Sequence, residues 1–219
     1  MIKLVIFDFD GVVADSHSGV NDLFSNLINT ELNLKIKPTD FAKYPGMRFE
    51  QRLSIIAKEN NLDINWERIT KIISKGRETY YKQSQNMTKL YPETIKFIKQ
   101  LRENNIKVAL GSNGSKNVIL KLLDQFNATK YFDNIVTFDD VDNGKPHPEM
   151  FLKSMDKFNF SPSECVVIGD ASQDIDAAQN GKMYSIALLT TDSKEILKNA
   201  DIILDHPRDL NLKLLEQLK

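Results

Sequence analysis

The chain has 219 residues, enough for one large domain or for a core domain carrying an insertion. Its 41% hydrophobic and 27% charged content and formal net charge of −1 are ordinary for a soluble globular protein. Lys and Arg are interspersed with Asp and Glu, so there is no basic stripe for nucleic acid or for an acidic membrane. The single cysteine, Cys165, excludes an intrachain disulfide and suits a reducing compartment. No apolar run approaches membrane-spanning length. Asp8 and Asp10 interrupt the N-terminal run, and no small-residue cleavage site follows it. The expectation is a cytoplasmic protein, a monomer by default, that engages neither nucleic acid nor membrane.

The first element lies in Leu4-Val5-Ile6-Phe7-Asp8-Phe9-Asp10-Gly11-Val12-Val13. Its apolar, β-branched start, bounded by Gly11, predicts a buried strand over residues 3–8. Carboxylates do not belong in a core, because an unpaired buried charge is very costly. In open α/β sheets, however, strand C-terminal ends are where ligands bind. A strand that stayed regular would send Asp8 and Asp10 to the same side. Two like charges that close call for a cation or for acid–base chemistry. Capping of the next helix is the competing structural reading.

From about residue 15 to 90 there is no convincing strand. Helical segments there are separated by Lys37-Pro38, Tyr44-Pro45-Gly46 and Leu62-Asp63. That is too long for a simple crossover and predicts an inserted helical subdomain. Phe24, Leu27, Phe49, Ile56, Trp66, Ile69 and Ile73 are its expected core. Residues 1–14 and 91–219 would form the main domain, and 15–90 the insertion. Within the main domain, apolar runs predict further strands at 107–111, 135–137, 165–169 and 185–189, with another candidate at 202–204. Helical patterns fill most of the gaps. Ile95, Ile98 and Leu101 follow Pro92, and Val118, Ile119, Leu122, Leu123 and Phe126 form a two-track apolar face. Alternating strands and helices predict an α/β fold with a parallel sheet covered on both faces.

Three more predicted strand ends carry chemistry-bearing residues. Gly111-Ser112-Asn113-Gly114-Ser115 is a small-residue turn into a helix, suited either to an anion or to plain N-capping. Asn143-Gly144-Lys145-Pro146-His147-Pro148-Glu149 is a loop stiffened by two prolines that places an ammonium, Lys145. A lone Lys in a loop is usually just solvated, so its weight comes from its neighbours, and His147 reads as loop surface. Gly169-Asp170-Ala171-Ser172-Gln173-Asp174 ends the 165–169 strand, with Asp174 one turn beyond Asp170. Converging carboxylates with no His or Cys partner favour Mg²⁺ over zinc. Helix capping is the alternative for Asp174. Cys165, inside an apolar run, reads as an inert buried thiol.

These four motifs, in this order, resemble the haloacid dehalogenase-like hydrolase superfamily: Asp8-Phe9-Asp10-Gly11-Val12, Ser112-Asn113-Gly114, Lys145-Pro146 and Gly169-Asp170-Ala171-Ser172-Gln173-Asp174. The resemblance spans essentially the whole chain, with the insertion similar to the family's helical C1 cap. It implies a Rossmann-like doubly wound parallel sheet of strand order 5-4-1-2-3, with the strands of Asp8 and Asp170 side by side. It also implies roles. Asp8 would be the nucleophile that becomes an aspartyl-phosphate. Asp10 would protonate the leaving oxygen and then activate water. Ser112 and the region of Asn113 and Gly114 would hold the phosphoryl oxygens, and Lys145 would hold phosphate and orient Asp8. Mg²⁺ would sit between Asp8, the Asp10 backbone carbonyl and Asp170, with Asp174 as a ligand or just behind one.

The acidic Asp10 favours phosphoryl transfer over carbon–halogen cleavage, since a halide leaving group needs no proton. β-Phosphoglucomutases look similar, but carry a His in the first cap helix where this chain has Val20; His17 lies three residues away. By simple alignment Phe49 takes the place of their phosphate-binding Arg, with Arg48 beside it as the candidate substrate contact. Gly169-Asp170 stands where the mutases often have Glu-Asp. The resemblance thus favours a Mg²⁺-dependent phosphatase acting on a small phosphorylated metabolite, such as a sugar phosphate or a phosphoglycolate-like compound. A β-phosphoglucomutase-type mutase and a non-catalytic phosphate- or metal-sensing partner protein are the alternatives. A receiver-type phosphoacceptor fits poorly.

Overall fold

The computed structural model describes residues 1–44 and 49–218, and for residues 17, 18, 77, 81 and 83–87 the backbone alone. The chain opens with β1 (Leu4–Phe7) and β2 (Ala14–Asp15), then runs through α1 (His17–Leu32), α2 (Pro38–Ala42), α3 (Phe49–Glu59) and α4 (Trp66–Met87). It returns through β3 (Lys89–Leu90), α5 (Pro92–Glu103), β4 (Lys107–Ser112), α6 (Lys116–Gln125), β5 (Asn134–Thr137) and α7 (Glu149–Asp156). Last come β6 (Cys165–Gly169), α8 (Ser172–Asn180), β7 (Tyr184–Leu188), β8 (Ile202–Leu204) and α9 (Lys213–Gln217). Two compact units result: Met1–Asp15 with Leu90–Lys219, and Ser16–Lys89.

The first unit is built on a six-stranded sheet in the order β5-β4-β1-β6-β7-β8, with every pairing parallel. This is the expected Rossmann-like order, extended at one edge by β8. Strand β1 shows why the sequence folds this way. Leu4 and Ile6 join Ala109, Cys165 and Val167 on one face, against Met150, Phe151 and Met155 of α7 and Ala177 and Ala178 of α8. Val5 and Phe7 join Val108, Leu110, Val166 and Ile168 on the other, against Phe97, Ile98 and Leu101 of α5 and Ile119, Leu122 and Leu123 of α6. A strand covered on both faces must be apolar throughout, which accounts for the unbroken Leu-Val-Ile-Phe run. Because the chain builds outward from β1 in one direction and from β6 in the other, their C-terminal ends flank the topological switch point.

Several helices end on an asparagine or lysine in the left-handed region: Asn33, Asn61, Asn105, Asn127, Asn159 and Lys182 all have positive φ. Asn tolerates that conformation better than other side-chain-bearing residues and so closes helices as glycine does. Among the described residues no helix is long and apolar enough to cross a membrane.

The second unit packs Phe24, Ile28, Phe41, Phe49, Leu53, Ile56, Ile69 and Ile73 into its own core, with Val20 and Leu27 partly buried against it. Phe49 anchors this core, its ring centroid 4.2 Å from Phe24 and 4.9 Å from Phe41. Trp66, expected in the core, is instead 45% exposed. It shares the helical stripe of Ile69 and Ile73 but occupies the first position of α4, one turn short of the residues that reach the cluster.

Gly76 of α4 leaves no room for a side chain, since an added Cβ would overlap the Phe24 ring. Gly→Ala in a helix ordinarily gains about 1 kcal/mol. Here overpacking, at roughly 1–3 kcal/mol, should outweigh that gain. Gly76→Ala is therefore expected to lower the denaturant midpoint; a rise would show that the Phe24 contact yields freely.

Candidate active site

Strand β1 stops at Phe7, and the Asp8 amide donates to the Ile168 carbonyl at 2.9 Å, which keeps Asp8 beside β6. The chain then folds into a tight turn. Val13 N and Ala14 N both donate to Phe9 O, at 2.9 and 2.8 Å, and Gly11 N donates to Ala14 O at 2.7 Å. Gly11 has φ +77°, a conformation that disfavours any side chain. The turn breaks the strand's alternation, so Asp8 and Asp10 are not successive same-side residues of one regular strand. Asp8 is buried and Asp10 half-buried.

Lys145 is the centre of the site. Its Nζ donates to Asp8 Oδ1 at 2.7 Å, to Asp174 Oδ1 at 2.5 Å and to the Gly111 carbonyl at 3.3 Å. Its side chain is only 4% exposed, far from the solvated state usual for a loop lysine. The loop is held in place by Asn113: its Oδ1 accepts from Lys145 N at 2.9 Å, and its Nδ2 donates to Lys145 O at 3.2 Å. Asn113 Nδ2 also donates to Gln173 Oε1 at 3.4 Å. The amide of Asn113 thus points at the backbone of the lysine loop. Ser112 ends β4 fully buried, and its Oγ accepts from Gly114 N at 3.0 Å.

Asp8, Asp170 and Asp174 each present one carboxylate oxygen, all within 4.8 Å of one another, and all three are buried. Asp10 lies outside this group. Asp174 does two jobs, because its second oxygen accepts from the amides of Asp170 and Ala171 at 3.3 and 3.1 Å. Helix capping and charge clustering, alternatives in the sequence, are here shared between the two oxygens of one carboxylate.

The charges do not balance. Burial pushes the Asp8 carboxyl well above the ordinary carboxylate range; Lys145 opposes this, while Asp174, Asp170 and Asp10 add to it. Burial alone would lower the Lys145 ammonium, but Asp174 and Asp8 outweigh it and hold its pKa above the ordinary value. One ammonium against three clustered carboxylates leaves a surplus of negative charge that a divalent cation would neutralise. The donor set is all oxygen, which suits a hard cation.

Residues 190–192 belong to the same site and were not singled out in the sequence. Thr190 Oγ1 donates to the Gly11 carbonyl at 2.7 Å, and Thr191 Oγ1 donates to Asp170 Oδ2. Asp192 N donates to the Asp170 carbonyl at 3.1 Å. Their signal was present, since they follow an apolar strand just as Asp8 and Asp170 do. Arg48 lies outside the described residues, as does the side chain of His17. His147 is exposed. Cys165 is buried, and burial pushes its thiol up to about 12, which makes it inert.

A protein-family model described as haloacid dehalogenase-like hydrolase matches residues 5–188. The chain belongs to this family. Membership makes it a hydrolase of the haloacid dehalogenase-like kind. Pyrophosphatase PpaX from Oceanobacillus iheyensis is 24% identical over 187 residues, covering 85% of this chain and 83% of that protein. The structure of β-phosphoglucomutase from Clostridium difficile is 27% identical, with a TM-score of 0.83 over 99% of this chain and 96% of that one. A predicted phosphoglycolate phosphatase from Haemophilus somnus shares the fold, with a TM-score of 0.85, 22% identity and 97% of both chains covered.

The raised Asp8 pKa has a consequence for stability. The folded state holds a proton on Asp8 above the ordinary carboxylate pKa of about 4, where the unfolded state has lost it. Asp8 therefore lowers stability progressively as pH rises from that ordinary value through the raised one. Without divalent cation, the melting-temperature gap between Asp8→Asn and wild type should move in the variant's favour as pH rises from mildly acidic toward neutral conditions. A gap that is absent or constant with pH in thermal melts would contradict this charge balance.

Proposed function

We propose that this protein is a Mg²⁺-dependent phosphatase that hydrolyses a small phosphorylated metabolite through an aspartyl-phosphate on Asp8. The observation that carries the reading is the buried Lys145 ammonium, held by Asp8 and Asp174 beside Asp170. A carboxylate fixed by an ammonium, in a cluster short of positive charge, is suited to meet both an electrophilic phosphorus and a cation.

In this reading Asp8, the Asp10 backbone carbonyl and Asp170 hold Mg²⁺, with Asp174 as a further ligand or behind them. When bound, the ion neutralises the clustered carboxylates and the charge on the phosphoryl oxygens. Asp8 forms a bond to phosphorus as the bond to the leaving oxygen breaks, and Asp10 gives that oxygen a proton. Asp10 then takes a proton from a water, which attacks the same phosphorus and releases phosphate and free Asp8. Lys145, the Ser112 hydroxyl and the Asn113 and Gly114 backbone hold the phosphoryl oxygens through transfer. Transfer of this kind depends chiefly on positioning and charge neutralisation. We assign residues 15–90 the role of cap, reading the leaving group with Arg48 as a contact. Sugar phosphates and phosphoglycolate-like compounds are the first substrates to test, and the similarity to PpaX adds pyrophosphate. Cytoplasmic location and a monomeric state complete the proposal.

Phosphate release from a generic aryl phosphate should require Mg²⁺ and fall at least about 10³-fold in Asp8→Asn. Asp10→Asn should slow turnover about 10²–10⁴-fold. Retained turnover in a folded Asp8→Asn would rule out the covalent route.

The likeness to a β-phosphoglucomutase favours a mutase as the second reading. Two positions argue against it. Val20, in place of the mutase His, and Phe49, in place of the Arg, both pack with the core of the helical unit. Neither is available to grip a second phosphate. With β-glucose 1-phosphate we expect phosphate release and no isomerisation, with or without a bisphosphate activator. Efficient bisphosphate-dependent isomerisation would establish the mutase instead.

A further inference from the structure

We propose that Thr190 and Thr191 are positioning residues that set the Asp170 carboxylate for a divalent cation. This rests on the reading of Asp170 as a cation ligand. Strand β7 ends at Leu188, and Leu189 N still pairs with Leu204 O at 3.0 Å. The next three residues then wrap around Asp170. Thr190 Oγ1 donates to Gly11 O at 2.7 Å and lies 3.4 Å from Asp170 Oδ2, while Thr191 Oγ1 donates to that same oxygen. Asp192 N holds the Asp170 carbonyl at 3.1 Å, and Asp192 Oδ2 accepts from Ser172 N, in the first turn of α8, at 2.8 Å. One segment thus grips the side chain, the backbone and the following helix of a single aspartate.

The division of labour follows from donor chemistry. A hydroxyl has one proton to give. Thr190 spends its proton on the shorter contact, the Gly11 carbonyl, and so ties the first-motif turn to the end of β7. Thr191 gives its proton to Asp170 Oδ2, which fixes the rotation of the carboxylate that would hold the cation. Gly11 completes the fit: an added Cβ there would overlap Asp170 Oδ2 and reach Thr191 Oγ1 at 3.0 Å. Partners of ligating carboxylates typically change metal affinity 10–100-fold when removed.

The test is calorimetric titration of the purified protein with MgCl₂ in the absence of substrate, alongside melting of the cation-free protein. Thr191→Val keeps the shape and drops the hydroxyl, and should weaken Mg²⁺ binding about 10–100-fold. Thr191→Ser restores the donor and should return affinity to near wild type. Saturable binding in wild type that is lost in Asp170→Asn tests the underlying reading separately. Equal Mg²⁺ affinity in wild type and Thr191→Val overturns the positioning role and leaves Asp170 as a ligand. Unchanged binding in Asp170→Asn, or none in wild type, overturns both. If Thr191→Val fails to fold, Thr191→Ala takes its place in the same titration.

Discussion

The site depends on one buried ammonium. Removing Lys145, Asp8 and Asp174 from water costs several kcal/mol per ion, and only close geometry offsets it. Much of the surrounding architecture serves that geometry. The Gly111 carbonyl takes a further proton of the ammonium, and Asn113 holds the lysine backbone by its N–H and its C=O. Even so, three clustered carboxylates outnumber the ammonium, and burial with its acidic neighbours raises the Asp8 pKa. In the proposed mechanism, what makes Asp8 costly to the cation-free fold is also what readies it for a cation and a phosphoryl group. Sites of this kind commonly trade stability for function.

The helical unit presents a separate constraint. Its core is a stack of Phe24, Phe41 and Phe49 over isoleucines, with the Arg52 guanidinium carbon 5.9 and 5.8 Å from the Phe41 and Phe49 ring centres. Arg52 also donates to Asn21 Oδ1 at 3.2 Å. Phe49 and Val20 are therefore structural in this chain, although the corresponding positions carry phosphate-handling residues in the mutases it resembles. Restoring those residues would remove an aromatic anchor and place charge in an apolar cluster.

The strands were legible because apolar runs on a doubly covered sheet must be continuous, and the strand-end rule then picked out Asp8 and Asp170; the order of the sheet was implied only by the family resemblance. Lys145 was harder. Its loop composition pointed to solvent, and its partners lie 137 and 29 residues away in sequence, so its burial is a property of topology. Asp174 could not be resolved between cap and cluster because it is both. Thr190 and Thr191 escaped notice because hydroxyls after a strand are common, and only their aim at Gly11 and Asp170 distinguishes them. Nothing in the sequence singled out the asparagines, yet several of them close helices in the left-handed conformation. Trp66 followed the right periodicity, but periodicity does not say where a cluster ends.

The pairing of β1 with β4 on one side and β6 on the other also fixes an order of events during synthesis. Strand β1 is made before both of its neighbours, the second of which begins only at Cys165, and the segment that grips Asp170 comes later still. Closing such distant pairings is slow, because the entropy of long loops is lost before the contacts repay it. A growing chain therefore carries the apolar β1 without one neighbour until β6 has been made. Asp8 likewise meets its ammonium from 137 residues further along the chain, so the proposed site comes into being only as distant segments of the sheet assemble.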